Sequence, residues 1–254
     1  MPIITVDLLI MLFIAGLGAG LVDSIAGGGG LISVPALLFA GLSPQLALGT
    51  NKLQGTFGSF AAAYNYIKKG QASLKDAGKG VIFTFIGAII GAWSVQQLNP
   101  DFIKPLIPIL LIIVFFYTLF SKKLGYEDQS PKLTWSIFWL IFGVTLGFYD
   151  GFFGPGVGSF WAVAIIYFLG FNMTKASGYT KIMNFVSNIV ALAMFIIGGN
   201  VYYKVGFVMA AGQTIGAIIG SGLAIKKGVA FIRPVFLAVI FLTILRLAYL
   251  NYLT

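Results

Sequence analysis

Cysteine and histidine are both absent from this chain of 254 residues. The first absence excludes disulfides and thiol chemistry and leaves the redox compartment undetermined. Together the two remove the usual zinc ligands, and with histidine goes the side chain that most often serves as general base near neutral pH. Charge is scarce too. Charged residues make up 9% of the chain, against roughly 25% in a soluble domain. Hydrophobic residues make up 59%, and the mean hydropathy is +0.97. Such a composition belongs to an integral membrane protein. Its apolar runs are helix-length and strict alternation is missing, which points to an all-α protein and away from a β-barrel. No Gly-x-x-x-x-Gly-Lys-Ser/Thr loop occurs, so no ATP hydrolysis is built in and no ATPase subunit is called for. Gly16-Leu17-Gly18-Ala19-Gly20 lies inside an apolar helix with no preceding strand, so it is not a dinucleotide fingerprint. Nothing calls for a catalytic residue, a metal or a cofactor, and the chain does not read as an enzyme.

What is present is a set of apolar runs separated by short basic loops. Ten helical segments can be drawn, at about 4–23, 30–41, 46–67, 77–97, 103–120, 134–152, 159–170, 175–197, 204–225 and 231–250. Crossing a bilayer takes about 20 residues at 1.5 Å each. Segments 30–41 and 159–170 are half that length, so each either crosses or forms a re-entrant hairpin. The first run, Ile3 to Val22, lacks a basic n-region and reads as a mature helix, not a cleaved signal.

The segments fall into two sets of five, matched at a shift of 129 residues. The hexapeptide at 86–91 returns at 215–220, Gly49 meets Gly178, and Lys52 meets Lys181. The division expected is 1–125 and 126–254, two repeats within one membrane domain, with glycine-rich breaks at 27–30 and 154–158. An odd number of segments per repeat gives the halves opposite senses in the membrane. Lys68, Lys69, Lys75, Lys79, Lys122, Lys123, Lys132, Lys175, Lys226, Lys227 and Arg233 then fall on one side, against Lys104 and Lys204 on the other. The basic side is expected to be cytoplasmic, which puts both termini outside and the chain in the inner membrane. The net charge of +9 is explained by these loops, so no nucleic-acid partner is expected. A homodimer is left open.

Polar groups in so apolar a setting are costly and usually mark a pathway or binding site. Asp23 precedes four glycines, Gly27, Gly28, Gly29 and Gly30, and Asn51, Lys52 and Gln54 follow. The layout returns as Asp150, then Gly154, Gly156, Gly158 and Ser159, then Lys181, Asn184 and Asn188; Gln213 stands on a later segment. Helix breaks at facing positions present backbone donors to an anion. The competing reading is that the glycines only let helices pack closely, which suits Gly87, Gly91, Gly216 and Gly220. Lys52 and Lys181 lie about two turns into their helices, either as anion-binding charges or as ion pairs with Asp23 or Asp150. Asp23 and Asp150 either carry a coupling proton or cap helix ends. Asn51, Gln54, Asn184, Asn188 and Gln213 either bind substrate or bond neighbouring helices.

The stretch VDSIAGGGGLISVPAL with GTNKLQ (49–54), and again GFYDGFFGPGVGSF, resembles the sulfite exporter TauE/SafE family, over nearly the whole chain. The likeness extends to a bacterial branch of probable membrane transporters. The resemblance implies movement of a sulfur-containing anion such as sulfite or an organosulfonate without an ATPase partner. It carries site roles onto Asp23, Gly27 to Gly30, Asn51, Lys52, Asp150, Gly154, Gly156 and Lys181. Where relatives often carry threonine or alanine in the second glycine loop, this chain has Val157. The expectation is a secondary transporter working by alternating access, with proton coupling open. An anion channel with the same basic pore is the alternative; a scaffold would need larger soluble loops.

Overall fold

The computed structural model describes residues 5–99, 127–227, 231 and 234. The expected fifth and tenth segments, 103–120 and 231–250, lie outside the described residues apart from Phe231 and Pro234. The rest is helix, and no strand occurs among the described residues. In order these are α1 (Val6–Ala26), α2 (Gly30–Phe39), α3 (Pro44–Lys68), α4 (Leu74–Gln96), α5 (Trp135–Phe152), α6 (Val157–Leu169), α7 (Met173–Ile197) and α8 (Tyr203–Lys227). α5 contains a π-helical turn at Trp139–Gly143, and α6 ends in another at Ile165–Leu169.

Local chemistry sets the helix starts. The Asn172 side chain accepts from the Lys175 N–H at 3.0 Å, which satisfies one of the unpaired donors of α7. Pro44 opens α3 at a position where its missing N–H costs nothing. α1 is stopped by Gly27, whose φ of 79° is left-handed.

Five helices, α1, α4, α5, α7 and α8, are long and apolar enough to cross a membrane. α3 is as long as α7 but buries Asn51, Lys52 and Gln54 on its inward face. Outward faces are apolar. Ile82, Phe85, Ile86, Ile90 and Trp93 of α4 are exposed, as are Ile215, Ile218 and Ile219 of α8. That is the surface a bilayer requires, because lipid needs no polar cover.

Glycine seams join the long helices in pairs. On α4, a Cβ at Gly87 or Gly91 would run into the carbonyls of Val144 or Phe148 on α5. On α8, a Cβ at Gly216 or Gly220 would run into those of Leu17 or Leu21 on α1. The packing reading of these four glycines therefore holds, and the repeated hexapeptide is explained: glycines meet the partner helix while isoleucines face outward.

Contacts between helix ends define the two ends of the bundle. At one end the Lys79 Nζ donates to Ser136 Oγ at 2.7 Å, Tyr179 reaches Asp76, and Lys175 pairs with Asp128. Tyr66, near the end of α3, packs with Ala224, near the end of α8. At the other end Gln45 bonds the Leu98 carbonyl, Gln96 bonds Asn200, and the Tyr202 N–H bonds Thr50. The first end carries Lys68, Lys69, Lys75, Lys79, Lys132, Lys175, Lys226 and Lys227. Among the described residues, the opposite end carries Lys204.

α2 turns back toward the end where α1 began, since Leu37 and Ala40 share a core with Leu12, Ala47 and Val205. α6 likewise turns back beside the start of α5, where Ile165, Ile166 and Leu169 pack with Phe138 and Trp139. α1–α2 and α5–α6 are thus hairpins entering from opposite ends, and their tips meet. A Cβ on Gly27 would lie 2.5 Å from the Gly158 Cα, and one on Gly30 would lie 2.9 Å from the Pro155 Cα. Backbone lies on backbone at the centre of the molecule, which only glycine permits.

Candidate functional site

The hairpin tips, α3, α7 and α8 enclose a cavity. Of the residues singled out in the sequence, it is lined by Asp23, Gly27, Gly30, Asn51, Asp150 and Gly154. The carboxamides Asn184 and Asn188 of α7 and Gln213 of α8 complete that set. Val157, the residue peculiar to the second glycine loop, also lines it, as does Gly55, which was not marked by the sequence.

Both intramembrane lysines are buried, and each is paired with the acid before the glycine break of the other half. Lys52 Nζ lies 2.6 Å from Asp150 Oδ1 and also donates to the Asp150 carbonyl. Ser187 Oγ donates to Asp150 Oδ2. Lys181 Nζ lies 2.9 Å from Asp23 Oδ2, and the Gly29 N–H donates to Asp23 Oδ1 at 3.2 Å. The two pairs differ in access: the Asp150 side chain is 3% exposed and the Asp23 side chain 14%. Each ion pair removes the cost of a lone charge in a low-dielectric interior, where an unpaired partner would be strongly destabilising.

The lysines themselves are not part of the cavity lining and do not meet one another. Gly55 lies against the Asn188 side chain, and α3 and α7 run in opposite directions. That alignment sets Lys52 and Lys181 about ten helical steps apart, roughly 15 Å along the axis. They stand on opposite sides of the cavity, with Lys181 toward the lysine-rich end.

The remaining singled-out residues support the wall. Gln54 Nε2 donates to Asn51 Oδ1 at 2.7 Å, and Ser33 Oγ donates to the same oxygen at 2.6 Å. The Gly28 carbonyl accepts from the Leu31 N–H, closing the first turn into α2. Gly156 has a φ of 81°, and its carbonyl accepts from the Ser159 N–H at 3.0 Å. Gly158 is fully occupied in the contact with Gly27, and Ser159 is buried beside it.

Asn184 and Gln213 are each 3% exposed, and the carboxamide oxygens Asn184 Oδ1 and Gln213 Oε1 are buried and accept from no donor among the described residues. A buried carboxamide left unpaired is destabilising by about 1–3 kcal/mol, so such groups usually wait for a partner. Among the described residues no group of His, Cys, Asp or Glu is placed to hold a metal ion. The site is therefore a small polar chamber with two carboxylates, each held by a lysine, and a lining of carboxamides.

Ser187 and Ser33 were missed by the sequence reading. Ser187 could have been found, because Lys181, Asn184 and Ser187 recur on one face of α7 at i, i+3 and i+6.

Comparison with known proteins follows from this architecture. The family described as Sulfite exporter TauE/SafE matches residues 12–247. A "Probable membrane transporter protein" of Haemophilus influenzae is 42% identical over 246 residues, covering 97% of this chain and 96% of the relative. The "Probable membrane transporter protein YfcA" of Escherichia coli strain K12 is 46% identical over 232 residues, covering 91% and 86%. The "Probable membrane transporter protein ORF9" of Sinorhizobium sp is 42% identical over 232 residues, covering 91% and 89%. No solved structure matches.

Proposed function

The chain belongs to the sulfite exporter TauE/SafE family, and on that footing we propose that it is a secondary transporter of a small oxyanion, sulfite or an organosulfonate. It works in the inner membrane by alternating access. The two halves act as inverted repeats around one site, as supported by the common register of 129 residues and by hairpins that enter from opposite ends. The observation that carries the reading is the reciprocal pair of buried bridges, Lys52–Asp150 and Lys181–Asp23, bordering a chamber lined by carboxamides.

The roles follow from chemistry. A lysine held by a carboxylate keeps its charge inside the membrane and can exchange that carboxylate for a substrate anion. Asn51, Asn184, Asn188 and Gln213 supply amide donors around the anion, and the start of α2 adds the positive end of a helix dipole. The acid that is displaced holds the coupling proton. Only Val157 among the lining side chains is apolar, so the chamber favours a compact, highly polar ion.

The test is uptake of sulfite into liposomes containing the purified protein. The expected result is saturable flux with counterflow, lost in Lys181→Gln. Single-channel currents in place of counterflow would convert the reading to an anion channel. No flux of sulfite or of any small sulfonate would remove the proposal.

A further inference from the structure

We infer that the Asp23 carboxylate is a tethered stand-in for the transported anion: it fills a cradle made by Lys181 and the Gly29 N–H, and the anion enters when Asp23 takes up a proton and lets go. The Lys52–Asp150 bridge stays closed while this happens. The inference rests on the anion site proposed above and divides the work between its two ion pairs.

The argument begins with what holds Asp23. One oxygen faces the Lys181 ammonium at 2.9 Å, and the other accepts from the backbone N–H at the start of α2 at 3.2 Å. A cation beside a helix N-terminus is the arrangement that binds a free oxyanion, and here the chain's own carboxylate occupies it. A Cβ on Gly29 would lie 2.6 Å from the Asp23 Cβ, so only glycine lets the carboxylate reach that position. Asn184 and Gln213 are buried and border the same chamber. Asp23 fills the cradle and bonds neither carboxamide, and a larger oxyanion would also reach their NH2 donors.

Asp150 is held differently. It is bound by Lys52 at the side chain and at its own carbonyl, and by Ser187 at the second oxygen. Among the described residues no backbone N–H is seen donating to it, and the side chain is almost fully enclosed. Of the two acids, Asp23 is therefore the one that can leave its lysine.

The groups facing Asp23 are few. Lys181 comes from α7, and Tyr66 of α3 donates to the neighbouring Ser24 carbonyl. Asp150 stands across the chamber with its charge held by Lys52. α2, α6 and α8 bring no ionisable side chain to the lining. A proton arriving from solvent therefore adds to the Asp23 carboxylate, Lys181 keeps its charge, and the incoming anion restores neutrality. Each anion bound takes up one proton.

The test is titration calorimetry of the purified protein with methanesulfonate, in buffers of differing ionisation enthalpy, between about pH 5 and pH 8. Methanesulfonate stays a monoanion over this range, so any proton taken up belongs to the protein. The expected result is one proton per anion, with affinity falling about tenfold per pH unit at the alkaline end. Asp23→Asn is expected to bind without proton uptake and with an affinity independent of pH. Wild-type affinity that does not change with pH, or proton uptake that persists in Asp23→Asn, overturns the inference and leaves the anion site standing. Failure of both methanesulfonate and sulfite to bind at any pH removes the anion site itself. If Asp23→Asn does not fold, the proton count of the wild type decides alone.

Discussion

Lys52 sits 1% exposed with its ammonium on the Asp150 carboxylate, so neither side chain can be judged by itself. Removing one member leaves a lone buried charge, and Lys52→Met is expected to destabilise the protein by about 3–5 kcal/mol. The double variant Lys52→Met with Asp150→Leu should recover most of that loss. A double-mutant cycle measured by unfolding in detergent checks this, and a double variant no better than the single would break the pairing argument. Glycines offer a second contrast. Gly27→Ala forces a Cβ within 2.5 Å of the Gly158 backbone at a left-handed φ of 79°, so the protein should lose its fold or its flux. Gly18→Ala meets nothing within 4 Å and should be neutral or gain up to about 1 kcal/mol of helix propensity, read as an equal or higher melting temperature. At this scale much was legible. The depth of Lys52 and Lys181 and the bias toward carboxamides can be read from position alone. Which acid each lysine meets cannot, because that depends on hairpins crossing from opposite halves. Ser187 was passed over although it shares a face of α7 with Lys181 and Asn184, because one serine in a membrane helix usually bonds its own backbone, as Ser187 also does with the Met183 carbonyl.

The two hairpins share a layout but not a packing. α6 is walled by aromatics: Trp161 lies 6.0 Å from Trp139 between ring centroids, and Phe168 lies 5.0 Å from Phe142. Its end is laced to the connector, since the Lys132 and Leu133 N–H groups donate to the Phe168 carbonyl and the Gln129 N–H to that of Gly170. α2 packs on Leu12, Ala47 and Val205 toward one end and shares a core with Phe153 and Phe195, but no such lacing to a connector is seen at its end among the described residues, and Pro35 inside it removes one helical hydrogen bond. The first hairpin is thus the less anchored, and it carries the more accessible acid. Amide exchange should be faster over 31–40 than over 157–169, and the reverse order would put the moving part in the second half. The connector adds a pH signature. The Lys175 ammonium beside Asp128 holds its carboxyl below the usual carboxylate range, with Asn172 adding hydrogen bonds. A lowered folded value means the stabilisation is complete above the unfolded pKa of about 3.9 and is lost as pH falls through the folded one. The pair is well exposed, so the effect is at most about 1 kcal/mol, and exchange at 127–134 should rise only in strong acid. Element boundaries were read within a few residues because apolar runs end at capping residues. The π-helical turns at 139–143 and 165–169 were not, since they answer to packing between α5 and α6 and leave no local mark.

For the whole molecule, the distribution of lysine bears on which end faces which compartment. Eight lysines gather at one end of the bundle, and among the described residues Lys204 stands at the other. Basic loops are retained on the cytoplasmic side during insertion, so the lysine-rich end, toward which the Lys181–Asp23 bridge lies, is expected to face the cytoplasm. α1 starts at the opposite end and runs alongside α8 in the same direction, because Gly16 and Gly20 meet Met209 and Gln213 in turn. An external start of α1 is the expectation from that direction and the charge rule together. The absence of cysteine makes the consequence easy to measure, since any thiol introduced is the only one in the chain. Lys204→Cys should react with a membrane-impermeant maleimide on intact cells, whereas Lys69→Cys should react only after the membrane is opened. Both positions are exposed loop or helix-end sites, so neither substitution disturbs the core. Labelling of Lys69→Cys from outside would invert the protein in the membrane and turn the proton-accepting face of the chamber toward the exterior.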